Sequence, residues 1–258
     1  MDPDLDLCRQ FLARHQPLGR VLICAVTGSH HYGFPSADSD LDIKGIHLAP
    51  TERFLGMSRP PDAHDRLTVF EGVECDLTTN EAGRALSLMM KGNGNMLERI
   101  FSPHRVFDAP GLLQPMRALA KASLSTACYN HYAGYFKGMC SEHMRSEPRA
   151  KSLLYTYRVA LTGAHLLKTG EVVAHLPTLA PIYGFESVME LVDKKVRTAE
   201  AVPLTQAESV KHRSRWDELE GLLRVAADDS ELPPGPTNGD QVEAFLVNLR
   251  KAEIHPSA

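Results

Sequence analysis

The residues best equipped for chemistry lie between positions 25 and 48, in the run AVTGSHHYGFPSADSDLDIKGIHL. An apolar, β-branched stretch, RVLICAVT (20–27), predicts a buried strand that ends on Gly28–Ser29. About ten residues later, Asp40-Leu41-Asp42 opens a second strand, DLDIKGIHL (40–48). A Gly–Ser turn at a strand end lets backbone amides and a hydroxyl come close to phosphate oxygens. Two aspartates at i and i+2 of a strand point to the same face. They can therefore share hard divalent cations, which prefer carboxylate oxygens. A third carboxylate on a neighbouring strand would complete a two-metal site. Asp76, in VECDLT (73–78), is the best placed, and Glu74 on the same face is less favoured. Taken singly, Gly-Ser is only a turn and Asp-x-Asp is usually a solvated loop. The ordered set of strand, Gly-Ser, spacer, Asp-x-Asp and a later strand carboxylate is what points to metal-assisted chemistry on phosphates.

The elements that must position these residues can be read from periodicity. Residues 67–71 and 73–78 predict two strands joined at Gly72. A helix is expected from about Thr79, with Thr78, Thr79 and Asn80 as candidate caps and Glu81 adding negative charge at its N-terminus. Its core stripe would be Ala85, Leu86, Leu88, Met89 and Met90. After Pro110 the pattern becomes helical, from about 112 to 172. SEHMRSEPRAK (141–151) is a polar break, Pro148 is expected to open the next helix, and Gly170 to end it. Further helices are expected around 185–198, 204–227 and 239–252, with PPGPTNG (233–239) as a loop. The expected fold class is α+β: a small mixed-sheet core over 1–108, followed by a helical domain over 109–258.

The ordered set resembles the DNA polymerase β superfamily of nucleotidyltransferases, whose signature is Gly-Ser, a spacer of this length, then Asp-x-Asp. More narrowly, GSHHYGFPSADSDLDIKGIHLAP is similar to the RNA-ligase-associated group of predicted nucleotidyltransferases. Tyr32-Gly33, Ser39 through Asp42, and Lys44-Gly45 fit that group in order. KGNGNMLERIFSP (91–103) resembles a segment those relatives carry after the third aspartate, with Gly94 where Pro is usual. The resemblance implies transfer of an NMP from an NTP (ATP or another) to an acceptor hydroxyl. Asp40 and Asp42 would bridge two Mg²⁺ ions, with Mn²⁺ as a substitute, and Asp76 would hold only the catalytic one. Gly28 and Ser29 would grip the terminal phosphates. In the helical domain, Lys151, Tyr155 and Arg158 share a stripe. The relatives carry Lys, His and Arg at this spacing, so Lys151 and Arg158 would hold the triphosphate and complete the nucleotide cleft, with Tyr155 in place of the His. The link to RNA ligases makes RNA (a tRNA or an RNA end) the first choice of acceptor, by analogy. A protein hydroxyl or a small molecule stays open.

Other features compete with or qualify this picture. His30 and His31 could touch the nucleotide, but histidines so placed more often pack in a first helical turn. Ser39 is better suited to orient the aspartate loop than to attack. Lys137 is a weaker phosphate candidate. The basic runs DKKVR (193–197) and KHRSRW (211–216) could track RNA phosphates, although ordinary helix surface is the simpler reading. Arg158 and His165, with six residues between them, match the Arg–His spacing of HEPN ribonucleases, which supplies an alternative of a toxin type. A nucleotide-binding regulator without turnover is a third reading, but it has no need of a third carboxylate. The 258 residues are 43% hydrophobic and 23% charged, with a formal charge of −4, so nothing draws the whole chain toward nucleic acid. No apolar run reaches the roughly 18–20 residues of a membrane span, and the acidic start MDPDLDLCRQF lacks a signal peptide's pattern, so a cytoplasmic protein is expected. The five scattered cysteines are expected to be reduced and mostly buried.

Overall fold

In a computed structural model, which describes residues 1–198 and 202–254, the chain divides into two compact units. One comprises residues 2–28, 40–123 and 236 onward and carries the sheet; the other comprises residues 29–39 and 124–235 and is helical.

The sheet unit begins with α1 (Leu5–Arg14), whose N-cap Asp4 accepts a hydrogen bond from Leu7 N at 2.9 Å. Strand β1 (Arg20–Val26) follows and leads into a five-residue helix, α2 (Gly28–Tyr32). Then come β2 (Leu41–Leu48), β3 (Ala63–Phe70) and β4 (Val73–Glu81). Helices α3 (Ala82–Met90) and α4 (Gly94–Phe101) precede the short strand β5 (Arg105–Asp108). The five strands form one mixed sheet in the order β3-β4-β2-β1-β5. β2 and β4 run parallel, and every other neighbouring pair is antiparallel.

Alternation decides which side of the sheet is buried under α1. Leu41 and Ile43 of β2, and Cys75 and Leu77 of β4, join Cys8, Phe11 and Leu12 of α1 in one apolar cluster. Removing each such side chain from water contributes on the order of 1.5–3 kcal/mol. The intervening residues, Asp42, Lys44, Asp76 and Thr78, therefore face the opposite side. The β3–β4 hairpin turns at Glu71 and Gly72, both with positive φ (49° and 85°), the backbone signature of a two-residue turn that suits strand twist.

Two expectations need correction here. The helix expected from Thr79 starts at Ala82, because Thr78 to Glu81 stay paired with Lys44 to His47 as strand. Glu81, not Thr78, Thr79 or Asn80, is its cap, accepting from Gly83 N at 2.7 Å. Strand β5 and helix α1 were not foreseen. β5 is a four-residue edge strand, too short for alternation to register.

Helices α5 (Leu113–Ala122) and α12 (Gly239–Ile254) lie, by sequence, in the stretch expected to be the helical domain, yet both pack in the sheet unit. Arg117 donates to Ile100 O at 3.3 Å, and Arg250 Nη2 lies 3.0 Å from Glu81 Oε1. Thr51 N donates to Glu253 Oε2 at 2.8 Å.

The helical unit is built on α6 (Cys128–Arg145) and α7 (Ala150–Thr169), with α8 (Leu176–Ile182), α9 (Met189–Arg197), α10 (Gln206–Arg213) and α11 (Trp216–Asp228) around them. α7 ends at Gly170, as expected, in the left-handed conformation at φ 67°. The segment Ser29–Ser39 belongs to this unit rather than to the sheet that brackets it in sequence. Cys8, Cys24, Cys75 and Cys128 are buried, Cys140 is half-buried, and all five are free thiols. Among the described residues, no helix is long and apolar enough to cross a membrane.

Candidate active site

The sheet unit brings three of the expected residues together by register. Asp42 and Asp76 are direct partners on the parallel strands β2 and β4, so their side chains stand side by side on the face away from α1. Gly28 closes against the first of them. Its φ is +63°, and a Cβ built there would lie 1.7 Å from Asp42 Oδ2. Thr27 N donates to Asp42 O at 2.8 Å, which fixes the end of β1 against the start of β2. Only glycine satisfies both demands, a left-handed backbone and a carboxylate in the space of its missing side chain. Asp40 immediately precedes β2 in the same unit. Its charge adds to the effect of burial in pushing the Cys75 thiol up to about 11.

Lys44, two residues beyond Asp42 on the same face, is a neighbour whose role its spacing alone does not reveal. Its Nζ lies 2.7 Å from Asp76 Oδ2, and it also donates to Asp76 O and Thr78 Oγ1, each at 3.3 Å. Among the described residues, no three His, Cys, Asp or Glu side chains are gathered as a metal-binding group. Asp76 is instead drawn onto the Lys44 ammonium. The donors themselves are carboxylate oxygens, the set that suits Mg²⁺ or Mn²⁺. Glu74 is exposed, two residues back from Asp76 on the same face.

Next along the sheet, Arg99 of α4 donates through Nη1 to Gly45 O at 2.7 Å and to Asn80 Oδ1 at 2.6 Å, tying β2 to β4. His47 Nδ1 lies 2.8 Å from Thr79 Oγ1, and burial holds that imidazole down at about 4. These contacts stiffen the pair of strands on which the aspartates ride.

The remaining expected residues fall in the helical unit. Ser29, His30 and His31 are buried in α2. Lys151 and Tyr155 line a cavity of about 450 Å³ together with Tyr135, Glu142, Arg149 and Ser152. Arg158 is fully buried, its guanidinium 3.9 Å from the centre of the Tyr32 ring and 5.3 Å from those of Tyr135 and Tyr155. His165 lies about two helical turns from Arg158, with Nδ1 3.0 Å from Tyr183 Oη. Lys137 pairs with Glu220 at 3.1 Å.

The two basic runs part company. Lys194 pairs with Glu208 and Lys211 with Glu190, each at 2.7 Å. Arg215 forms a short contact with Glu218, Nε to Oε2, at 2.5 Å. Lys195, by contrast, is completely buried, and its Nζ donates to Phe34 O at 3.1 Å and to Ser36 Oγ and Ser39 Oγ at 3.3 Å each. It grips the loop that runs into Asp40. Its signal was present in the sequence: Val188, Leu191 and Val192 precede it at helical spacing, so position 195 falls on the buried stripe. Ser39 Oγ also accepts from Ser36 N at 3.0 Å, the orienting role expected of it.

Residues 8–248 match the family described as the RNA repair pathway DNA polymerase beta family. An uncharacterized protein of Methanocaldococcus jannaschii is 25% identical over 229 residues, 87% of this chain and 91% of its own. An uncharacterized protein of Bacillus subtilis, YcgL, is 24% identical over 224 residues, 82% of this chain and 83% of its own. A solved structure from Exiguobacterium sibiricum, a nucleotidyltransferase-like protein, overlays with a TM-score of 0.35 at 9% identity, covering 97% of this chain and 77% of the other.

Proposed function

The chain belongs to the RNA repair pathway DNA polymerase beta family, and we propose that it transfers an NMP from an NTP to an acceptor hydroxyl, with RNA (a tRNA or an RNA end) as the acceptor. The observation that carries the reading is the register of Asp42 with Asp76 on parallel strands, closed at one end by Gly28. Asp40, two residues before Asp42, is the third carboxylate. In this reading Asp40, Asp42 and Asp76 are the residues that would hold the Mg²⁺ ions. The ions, when bound, supply Lewis acidity that lowers the pKa of the acceptor hydroxyl and neutralises the departing pyrophosphate. Gly28 and Ser29 receive the terminal phosphates. Lys151, on the wall of its cavity, and Arg158, in its stack of tyrosines, are the helical unit's candidate triphosphate contacts. Membership of an RNA repair pathway family, together with the resemblance to RNA-ligase-associated proteins, supports the choice of acceptor.

The test is to incubate the protein with each α-³²P-labelled NTP, Mg²⁺ and total cell RNA or protein. We expect a labelled RNA band that ribonuclease removes and that Asp42→Asn and Asp76→Asn fail to make. Label that only a protease removes would overturn RNA as the acceptor. No label from any NTP would overturn the transferase reading.

A further inference from the structure

β3 is the outer strand of the sheet, and its two sides carry different chemistry. It pairs with β4 residue for residue, from Ala63 opposite Asn80 to Phe70 opposite Val73. Leu67 lies opposite Asp76 and Val69 opposite Glu74, so both point to the carboxylate side, each about 5 Å from its partner. They are 63% and 65% exposed, where an edge strand is normally blunted by charge. Asp65 shares their side by alternation. His64 and Arg66 point the other way, toward α1. There His64 Nε2 lies 3.2 Å from His15 O, and the Arg14 guanidinium is 4.7 Å from the centre of the Phe70 ring. Burial first, then Arg66, His64 and Arg14, hold the His15 imidazole below its ordinary value, so the four basic groups lie within electrostatic reach of one another. Arg14 and Arg66 are exposed.

We propose that the β3 edge is the docking surface for a single-stranded RNA acceptor, with backbone phosphates on Arg14 and Arg66 and the terminal base against Leu67 and Val69. This rests on the reading of RNA as the acceptor. Charge complementarity decides the occupant. Two guanidiniums, with two imidazoles beside them, suit phosphate oxygens, in a chain whose formal charge of −4 gives no overall pull on a polyanion. The other side of the strand is apolar between carboxylates, which repel phosphate but accept the amino hydrogens of a base. An RNA end that crosses β3 therefore meets its phosphate contacts on one side and sets its last nucleotide beside Asp76 on the other. A second copy paired edge to edge would also cover Leu67 and Val69. Antiparallel pairing about the middle of β3 would, however, bring the two Arg66 side chains together, like charge against like charge.

The experiment follows the anisotropy of a fluorescein-labelled single-stranded oligoribonucleotide on the full chain, in EDTA and without NTP, across a salt series. Arg14→Gln/Arg66→Gln is expected to bind about tenfold more weakly, with a salt slope shallower by about 1.4, two single-strand contacts at about 0.7 each. Arg224→Gln/Lys251→Gln, which removes two exposed charges elsewhere, should bind as the wild type does. Leu67→Ser/Val69→Ser should raise the KM for RNA in the labelled-NTP assay severalfold, more than it changes kcat. Thermal unfolding checks that each variant is folded. Wild-type affinity and salt slope in a folded Arg14→Gln/Arg66→Gln protein, or an equal loss in the Arg224→Gln/Lys251→Gln control, overturns this surface. So does a wild type that labels RNA but does not bind it in EDTA, and in each of these cases RNA stands as the acceptor. A wild type that neither binds nor labels RNA overturns the acceptor reading, and this surface falls with it. A dimer that forms with rising concentration and is lost in Leu67→Ser/Val69→Ser would give the edge to a second copy and overturn the proposal.

Discussion

Asp42 and Asp76 share a face and a register, but their surroundings assign them different work. Asp42 is wedged against the backbone of Gly28, at the turn that would receive phosphates, and Asp76 stands one strand away with Lys44. In the proposed reading, a nucleotide-bound ion would therefore depend on Asp42 more than on Asp76. Asp76→Asn is expected to cut transfer by at least about 10²-fold, the scale of losing one transition-state charge contact, while most NTP affinity persists. Equilibrium binding of a fluorescent NTP, read against turnover, checks this, and parallel losses in both would contradict it. Gly28→Ala is the harsher change. A left-handed backbone costs an alanine about 1–2 kcal/mol, and its Cβ would displace the Asp42 carboxylate. Thermal unfolding should show the destabilisation, and labelled-NTP turnover should fall further than the stability loss explains. At this scale the sequence was informative wherever spacing alone decides geometry. Alternation puts Asp42 and Asp76 on one face as expected, whereas Asp40 precedes β2, and among the described residues the three carboxylates are not gathered as a metal-binding group. Lys195 escaped because a run of charges reads as solvated surface unless the buried stripe beneath it is traced first.

Elements are held to the sheet by a few polar ties that periodicity does not reveal. Glu81 is the clearest. It ends β4, caps α3 through Gly83 N and accepts from Arg250 of α12, and its own side chain is almost fully buried. Glu81→Ala removes a cap and strands a largely buried guanidinium. The expected cost is about 2–4 kcal/mol in denaturant unfolding. Glu81→Gln, which keeps an acceptor for Gly83, should lose less; equal losses would place the whole effect in the ion pair. Strand β2 was visible from alternation, β1 as a continuous β-branched apolar run buried on both faces, and β4 with its hairpin from the two short runs joined at Gly72. The start of α3 was misplaced because Thr78, Thr79 and Asn80 are good caps locally, and the pairing of β4 with β2 overrides that preference.

Across the whole molecule, one buried and one half-buried histidine set an acid limit on stability. His47 in the sheet unit and His131 in the helical unit are both held down at about 4, mainly by burial, with Arg158 adding to the effect on His131. Unfolded, each binds its proton near 6.5. Between those values the unfolded chain carries more protons than the folded one, so stability is fully present above about pH 6.5 and drains away as the pH falls toward 4. Melting temperature followed from pH 7 to 4.5 should show that decline, and His47→Gln should flatten part of it. An unchanged slope in the variant would mean that other groups carry it. The division of the chain was the least legible feature at this scale. The sequence places a helical half after a sheet half, but α5 and α12 pack in the sheet unit and Ser29–Ser39 in the helical one, and amphipathic periodicity does not say which partner a helix will choose. What the sequence and fold agree on is that Asp42 and Asp76 share one face of β2 and β4. The most direct test of the proposed site is a crystal structure of the protein grown with Mn²⁺ and a non-hydrolysable NTP analogue, read at the manganese absorption edge. We expect anomalous peaks bonded to Asp40, Asp42 and Asp76 and to the analogue's phosphates. Peaks away from these three carboxylates would contradict the account.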